Sequence, residues 1–386
     1  MRILYVTHKM IYPVTGGDCI RMSQMLDGLL RHGDVDVMYI AHGAVDKPMK
    51  SYNPAIGSEW SFHVSFTRRL YRVVATIFGR YPFWVSLYRH KKFRRRLIQA
   101  ARGYDMVVLG SFGVANYCTD ISGLGVDVRI DLTDSAAMNL DNETRLSFGL
   151  KKLWYKVNAR RMRHFERQWR SVATATAYIS EIDRNYINAT DTRSVVVGNK
   201  VDLCADDMVC THHSGNEILF VGNMGYAPNI TAVKRFAINV LPHIADAVPD
   251  VRFRIVGASP TREVKKLGRK CPNVVVEGFV EDLGNCYRSA SIVVAPMFSG
   301  SGIQNKILHA MATGCCVVTT PIGAEGLDIN SEAFAIARDD AELARICTGL
   351  LGNSAMRRDY GTRARRYVAA NFSSVQIDRQ LDVFLQ

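Results

Sequence analysis

Apolar residues recur along this chain in short runs, separated by amphipathic stretches and glycine-bearing turns. Met1-Arg-Ile-Leu-Tyr-Val-Thr7 predicts a first strand, followed by Pro13-Val-Thr-Gly-Gly17 and by helical periodicity from about Asp18 to Arg31. Runs at 35–41, 105–110, 128–135, 176–180 and 194–198 predict further strands, with a long helix over 151–170. A second series lies at 218–221, 252–256, 274–277, 292–295 and 317–320, and helices are expected at 357–370 and 373–385. Strands alternating with helices predict an α/β protein with parallel sheets. A chain of 386 residues is comfortable for two such domains. The expected division is 1–200, a polar linker over 201–216, a second domain over 217–370, and a terminal helix over 371–386.

One junction concentrates candidate chemistry. Phe298-Ser-Gly-Ser-Gly-Ile-Gln-Asn-Lys-Ile-Leu-His-Ala-Met-Ala-Thr-Gly314 reads as a glycine-rich loop entering a helix between two apolar strands. Backbone N–H groups at a helix start lack internal partners, and with the macrodipole they attract an anion such as a phosphate. Ser299, Gly300, Ser301 and Gly302 put no bulk between backbone and ligand. Helical spacing places Ile303, Ile307, Ala310, Met311 and Gly314 on an apolar stripe, and Gly302, Asn305 and His309 on another side with Lys306 beside them. An ordinary half-buried helix with solvated Gln304, Asn305 and Lys306 fits the local pattern equally well. The Gly16-Gly17 turn repeats the strand, turn and helix arrangement, and two glycines alone are weak evidence for a second anion seat.

Composition narrows the class. Hydrophobic residues make up 48% of the chain, but no run approaches the ~18–20 residues of a membrane helix. A soluble, cytoplasmic protein is expected, and nothing at the start resembles a signal peptide. Nine cysteines without paired metal spacing suit reduced thiols. No metal site is expected, because His212-His213 has no carboxylate or cysteine at ligand spacing. The net charge is +13, and residues 68–102 hold eleven Lys or Arg, seven aromatics and no acid. That segment suits an anionic membrane surface or an anionic acceptor; the bland alternative is a solvated basic helix with its aromatics turned inward. Nucleic acid is disfavoured, since no nucleic-acid-binding signature accompanies the charge.

The strand Val128-Arg-Ile-Asp-Leu-Thr-Asp-Ser135 ends in carboxylates, where α/β folds place binding and catalytic groups. Asp131 and Asp134 are candidate catalytic residues on that ground. Asp134-Ser135 is also a plausible cap for the helix that follows.

Five ordered motifs carry a resemblance: Phe220-Val-Gly-Asn-Met-Gly-Tyr-Ala-Pro-Asn229, Arg254-Ile-Val-Gly257, Val276-Glu-Gly-Phe279, Gly302-Ile-Gln-Asn-Lys-Ile-Leu308 and Val317-Val-Thr-Thr-Pro-Ile-Gly-Ala-Glu-Gly326. Together they resemble the nucleotide-binding half of the retaining family-four glycosyltransferases, in a sub-branch with polysaccharide-assembly sugar transferases. The resemblance implies a GT-B fold, with two Rossmann-like domains facing a cleft and a C-terminal helix returning to the first. It implies transfer of a sugar from a nucleoside diphosphate donor to an acceptor hydroxyl with retention, and neither a cofactor nor a metal. The donor would be held by Asn223, Ser301, Gly302, Ile303, Gln304, Asn305, His309 and Glu325, with Gly16 and Gly17 approaching it across the cleft. A sugar or lipid-linked acceptor would follow, reached by peripheral attachment at the inner membrane face through 68–102.

Departures from the pattern bear on mechanism. Asn223 and Pro228 stand where the family has an arginine and a lysine for the diphosphate, which leaves Lys306 as the local cation. The family's paired acids fall on Ser301 and His309, and its usual histidine near 128–135 is absent, leaving Asp131 and Asp134. A non-catalytic GT-B partner and a sugar-nucleotide epimerase therefore stay open as alternatives.

Overall fold

The computed structural model describes residues 1–14, 16–41, 47–64, 81–188, 193–203, 210, 215–299 and 302–386. The chain folds as two compact units, one of residues 1–199 with 378–386 and the other of residues 200–377.

The first unit is built on seven parallel strands: β1 (Arg2–Thr7), β2 (Asp34–Ala41), β3 (Glu59–His63), β4 (Met106–Gly110), β5 (Asp127–Asp131), β6 (Ala175–Tyr178) and β7 (Ser194–Val196). Their order is β3-β2-β1-β4-β5-β6-β7. Near-continuous apolar runs such as Ile3 to Val6 are required because helices cover both faces of a parallel sheet. Leu4, Val6, Val107, Leu109 and Ile130 form one core with Phe165 and Trp169 of the helix Gly149–Val172. Strand β3 was not foreseen. Its sequence Glu-Trp-Ser-Phe-His pairs only with β2, at the sheet edge, and leaves Trp60 41% exposed, so burial imposes no apolar pattern on it.

The second unit has six strands: β8 (Glu217–Val221), β9 (Arg252–Val256), β10 (Val274–Gly278), β11 (Ile292–Ala295), β12 (Val317–Thr319) and β13 (Ala335–Ile336). They run in the order β10-β9-β8-β11-β12-β13, again all parallel. Phe220, Phe236 and Phe253 centre its core, the last two with ring centroids 4.5 Å apart.

In each sheet the strand order reverses once, between β1 and β4 and between β8 and β11. Loops leaving the carboxyl ends of those strands diverge, and α/β proteins bind ligands in the crevice that results. The glycine-rich junction after β11 and the turn before Gly16-Gly17 therefore both open at a reversal.

The last helix, Ser374–Leu385, ends in the first unit. Leu381 lies where a Cβ on Gly28 would stand, only 1.9 Å from its Cδ2. Gln380 accepts from the Gly198 amide at 2.9 Å, and Asp378 pairs with Arg31. The return is thus encoded early in the chain, by a glycine in the first helix.

Another glycine fixes the strand ends beside the second reversal. Gly257 has φ +146°, and a Cβ there would meet the Gly222 carbonyl oxygen at 1.8 Å. Gly257→Ala is expected to destabilise the chain by about 3 kcal/mol through overpacking against rigid backbone. Urea unfolding checks this, and a loss under about 1 kcal/mol would show that the strand ends can part freely.

Candidate functional site

At the second reversal, β11 runs into Pro296-Met297-Phe298, and the chain enters the helix Asn305–Ala312 with Gln304 at its N-cap. Gly300 and Ser301 lie outside the described residues. Gly302 has φ +69°, so it is a turn residue and not part of the helix. The polar side expected from Gly302, Asn305 and His309 is accordingly reduced to Asn305 and His309, one turn apart. Ile307, Ala310 and Met311 are buried, as helical spacing predicts, and Ile303, ahead of the N-cap, is buried too.

Lys306 has an unusual setting. Its Nζ donates to Asn229 Oδ1 at 2.5 Å, lies 3.5 Å from Met297 Sδ and stands 4.9 Å from the centroid of the Phe220 ring. None of these partners is a carboxylate. Desolvation alone pushes its pKa down to about 7. Asn229 is itself buried and donates its amide to the Asn223 carbonyl at 2.9 Å, which aims its oxygen at the ammonium. The Asn223 side chain accepts from the Gly225 amide at 2.8 Å and holds that turn. A chain of contacts therefore joins the loop after β8 to the helix after β11. Asn229, Phe220 and Met297 were not foreseen as site residues, though Phe220 and Asn229 bound the first of the five motifs.

The other cation at this loop is already neutralised. Arg235 stacks on Phe298, 3.7 Å from the ring centroid, and donates to both Asp340 oxygens at 2.9 Å. His309 is exposed. Burial of its ring lowers its pKa, against the raising influence of Asp202. Half-buried Glu325 sits in the turn after β12, where Thr320 Oγ1 donates to the Met297 carbonyl and accepts from the Gly323 amide. That pairing draws the Glu325 turn to the β11 loop.

At the first reversal the expected anion seat is filled by the chain itself. Gly16 caps the helix Gly17–His32, and Asp18 in its first turn accepts from the Cys19 amide at 2.9 Å and pairs with Lys9 at 2.6 Å. Burial works to raise the Asp18 carboxyl, but Lys9 and His8 bring it below the usual range. Nearby, His8 Nδ1 lies 2.7 Å from Ser111 Oγ, while His8 Nε2 is 3.8 Å from Asp18. Ser111 is buried and has φ +112°, a strained backbone for a residue with a side chain. His8 follows β1 and Ser111 follows β4, so they face each other at the reversal. Neither was foreseen, because nothing in their local sequence marks them and 103 positions separate them.

Asp131 is corrected from a catalytic to a structural residue. It is 1% exposed, and Arg21 donates to its Oδ1 from Nη2 at 2.6 Å and from Nε at 3.1 Å. Arg21 also donates to the carbonyls of Val197 and Gly198, at 2.6 and 2.8 Å. The carboxylate is committed to an internal ion pair that ties the first helix to β5 and to the end of β7.

Asp134 is half-buried and accepts from Asn139 at 2.6 Å. Ser135, not Asp134, caps the helix Ala136–Leu146, accepting from the Met138 amide and donating to Glu166. Two further buried acids lie here. Burial pushes Glu166 up to about 7 and Asp183 up to about 6, with Asp134 adding to both.

Of the basic segment, residues 68–80 lie outside the described residues. In the helix Lys91–Ala101, Phe93 and Leu97 are buried, and Arg94 pairs with Asp120 at 2.7 Å. This part matches the inward-packed basic helix, and its aromatic residue is no membrane anchor. His212-His213 also falls outside the described residues. Among the described residues, cysteines are free thiols, no cluster of metal-ligating groups occurs, and no helix is long and apolar enough to cross a membrane.

Two parallel α/β sheets, each with one reversal of strand order, define a protein of the GT-B class built from two Rossmann-like domains. Solved structures of similar fold span the whole chain. Anabaena Alr3699/HepE in complex with UDP has a TM-score of 0.70 and 13% identity, covering 100% of this chain and 99% of its own. WaaG, a glycosyltransferase involved in lipopolysaccharide biosynthesis, has a TM-score of 0.62 and 14% identity, covering 99% of each. In sequence, the chain is similar to an uncharacterized 44.6 kDa protein in the cps region of Klebsiella pneumoniae, 23% identical with 97% of each covered. Residues 215–353 match the family model described as glycosyl transferases group 1. Within the second unit, these residues are thus similar to the group 1 glycosyl transferases.

An unfolded lysine holds its proton to 10.5, whereas folded Lys306 releases its own near 7. Between those values the unfolded chain binds the extra proton, so stability rises with pH across the window, and the cost of the buried charge is fully present below it. Lys306→Met should therefore be more stable than the parent near about pH 6, with the gap shrinking as pH rises. Urea unfolding at several pH values tests this, and a gap independent of pH would rule out the buried cation.

Proposed function

We propose that this glycosyltransferase moves a sugar from a nucleoside diphosphate donor to an acceptor hydroxyl, with retention, in polysaccharide assembly. The observation that carries this is Lys306, a desolvated ammonium without a carboxylate partner among the described residues, at the start of a helix and at a sheet reversal. An anion placed before it supplies the missing countercharge, and the helix dipole adds to the attraction. A diphosphate has that chemistry. Support comes from relatives of similar fold solved with UDP and with UDP-glucose, and from the relative in a cps region.

In this transfer the anomeric carbon gains a bond to the acceptor oxygen as its bond to the diphosphate oxygen breaks. The acceptor proton passes to the leaving phosphate. Lys306 and the amides of Gly302 to Asn305 stabilise the departing charge, and no metal is called for. Asn223, Asn305, His309 and Glu325 orient the nucleoside and ribose. His8, held by Ser111 at the first reversal, and Asp134 after β5 serve the acceptor, which is a sugar or a lipid-linked sugar at an anionic membrane face.

Asn223, Pro228 and His309 in place of the family's charged residues favour a second reading, a non-catalytic GT-B partner. Slow release of UDP from a UDP-sugar separates the two, since a partner without activity releases none.

Lys306→Ala is expected to weaken UDP binding by ~1.5–3 kcal/mol, the range for a charge-assisted bond, and to leave uridine binding unchanged. Calorimetry with both ligands tests this, and equal losses, or none, would reject the anion site. His309→Glu supplies a two-oxygen acceptor at an exposed position. It should tighten UDP binding without changing the melting temperature, and unchanged affinity would remove His309 from the ribose.

A further inference from the structure

The helix Gly149–Val172 turns its apolar residues in two directions. From Asn158 onward Ala159, Met162, Phe165 and Trp169 pack into the first core. In the first two turns they face outward instead: Phe148 at the N-cap is 85% exposed, Leu150 86%, Leu153 58% and Val157 40%. Leu150, Leu153 and Val157 share one stripe by helical spacing. Trp84 on the neighbouring helix Phe83–Tyr88 is also exposed, and Phe83 joins the two helices, its ring edge-on to Trp84 at 5.0 Å and to Trp154 at 5.5 Å. The Phe83 amide donates to Asn158 Oδ1 at 2.9 Å.

Cations surround this tip. Lys151, Lys152, Lys156 and Arg160 are exposed, and residues 144–165 contain no acid. Exposed large apolar side chains flanked by cations and by tryptophan match the boundary between anionic headgroups and acyl chains. A second copy meeting this patch about a two-fold axis would set lysines against lysines. Residues 91–101 add charge but no outward anchor, since Phe93 and Leu97 are buried.

We propose that the tip formed by Phe148, Leu150 and Leu153 inserts into an anionic bilayer surface while Lys151, Lys152 and Lys156 meet the lipid phosphates. This deepens the membrane-acceptor part of the function proposed above and rests on it, but it does not depend on the donor site.

The test is co-sedimentation of the full chain with phosphatidylcholine vesicles, with and without phosphatidylglycerol. The parent should bind only the anionic vesicles, and less as salt rises through the screening range. Phe148→Ser/Leu150→Ser/Leu153→Ser, and separately Lys151→Glu/Lys152→Glu/Lys156→Glu, should each reduce binding about tenfold or more. Both variants change exposed positions, and unaltered circular dichroism and UDP calorimetry confirm an intact fold. The proposal is overturned if the parent ignores lipid charge, if either variant binds as the parent does, or if the apolar variant converts a dimer to a monomer. Loss of UDP binding with vesicle binding intact would sink the donor-site proposal and leave this one standing.

Discussion

A lysine ammonium drawn out of water without a carboxylate to meet it is an unfavourable arrangement, and the candidate donor site is built around one. Lys306 has an amide oxygen, a thioether and an aromatic face as its partners. Each stabilises a cation weakly, and none cancels its charge. The arrangement keeps the site electrostatically incomplete until an anion arrives, and it depends on Asn229 being held by the loop after β8. Had a carboxylate filled that place, the lysine would be content and the site silent. Arg235, paired with Asp340 on the same loop, illustrates that outcome.

The first unit treats charge in the opposite way. Its carboxylates are occupied: Asp131 by Arg21, Asp18 by Lys9, and Glu166 and Asp183 by hydroxyls and backbone amides around the Ser135 cap. Fully paired buried charge specifies geometry and leaves little for a ligand. At that reversal His8 meets Ser111, the latter on strained backbone, at the carboxyl ends of the two strands where the sheet changes direction. The pairing of Asp131 and Asp18 fixes shape in the first unit, whereas Lys306 in the second has no carboxylate partner among the described residues.

Surface charge follows the same logic. The basic segment over 68–102 and the long helix beginning at Gly149 look alike in composition, both rich in cations and aromatics and poor in acids. In the helix Lys91–Ala101 of the first segment Phe93 and Leu97 are turned into the core, whereas Trp84 of the same segment and Phe148, Leu150 and Leu153 are left outside. Composition records which residues are present, not which way the backbone turns them.

The order of strands and helices was legible in the sequence, because sheets covered on both faces demand apolar runs and amphipathic helices demand their own period. So was the glycine-rich junction with Lys306 beside it, since a local strand, loop and helix suffice to define such a seat. Strand β3 escaped because a half-exposed edge places no demand on its sequence. Tertiary structure alone decided which carboxylates were free. Asp131 at the end of its strand had the look of a catalytic group until Arg21, 110 positions away, closed on it. Ser111 and His8 came together across 103 positions without any local sign. Periodicity is set by neighbours along the chain, and so sequence determines it. A side chain's pairing is set by neighbours in space, and only the folded chain brings those together.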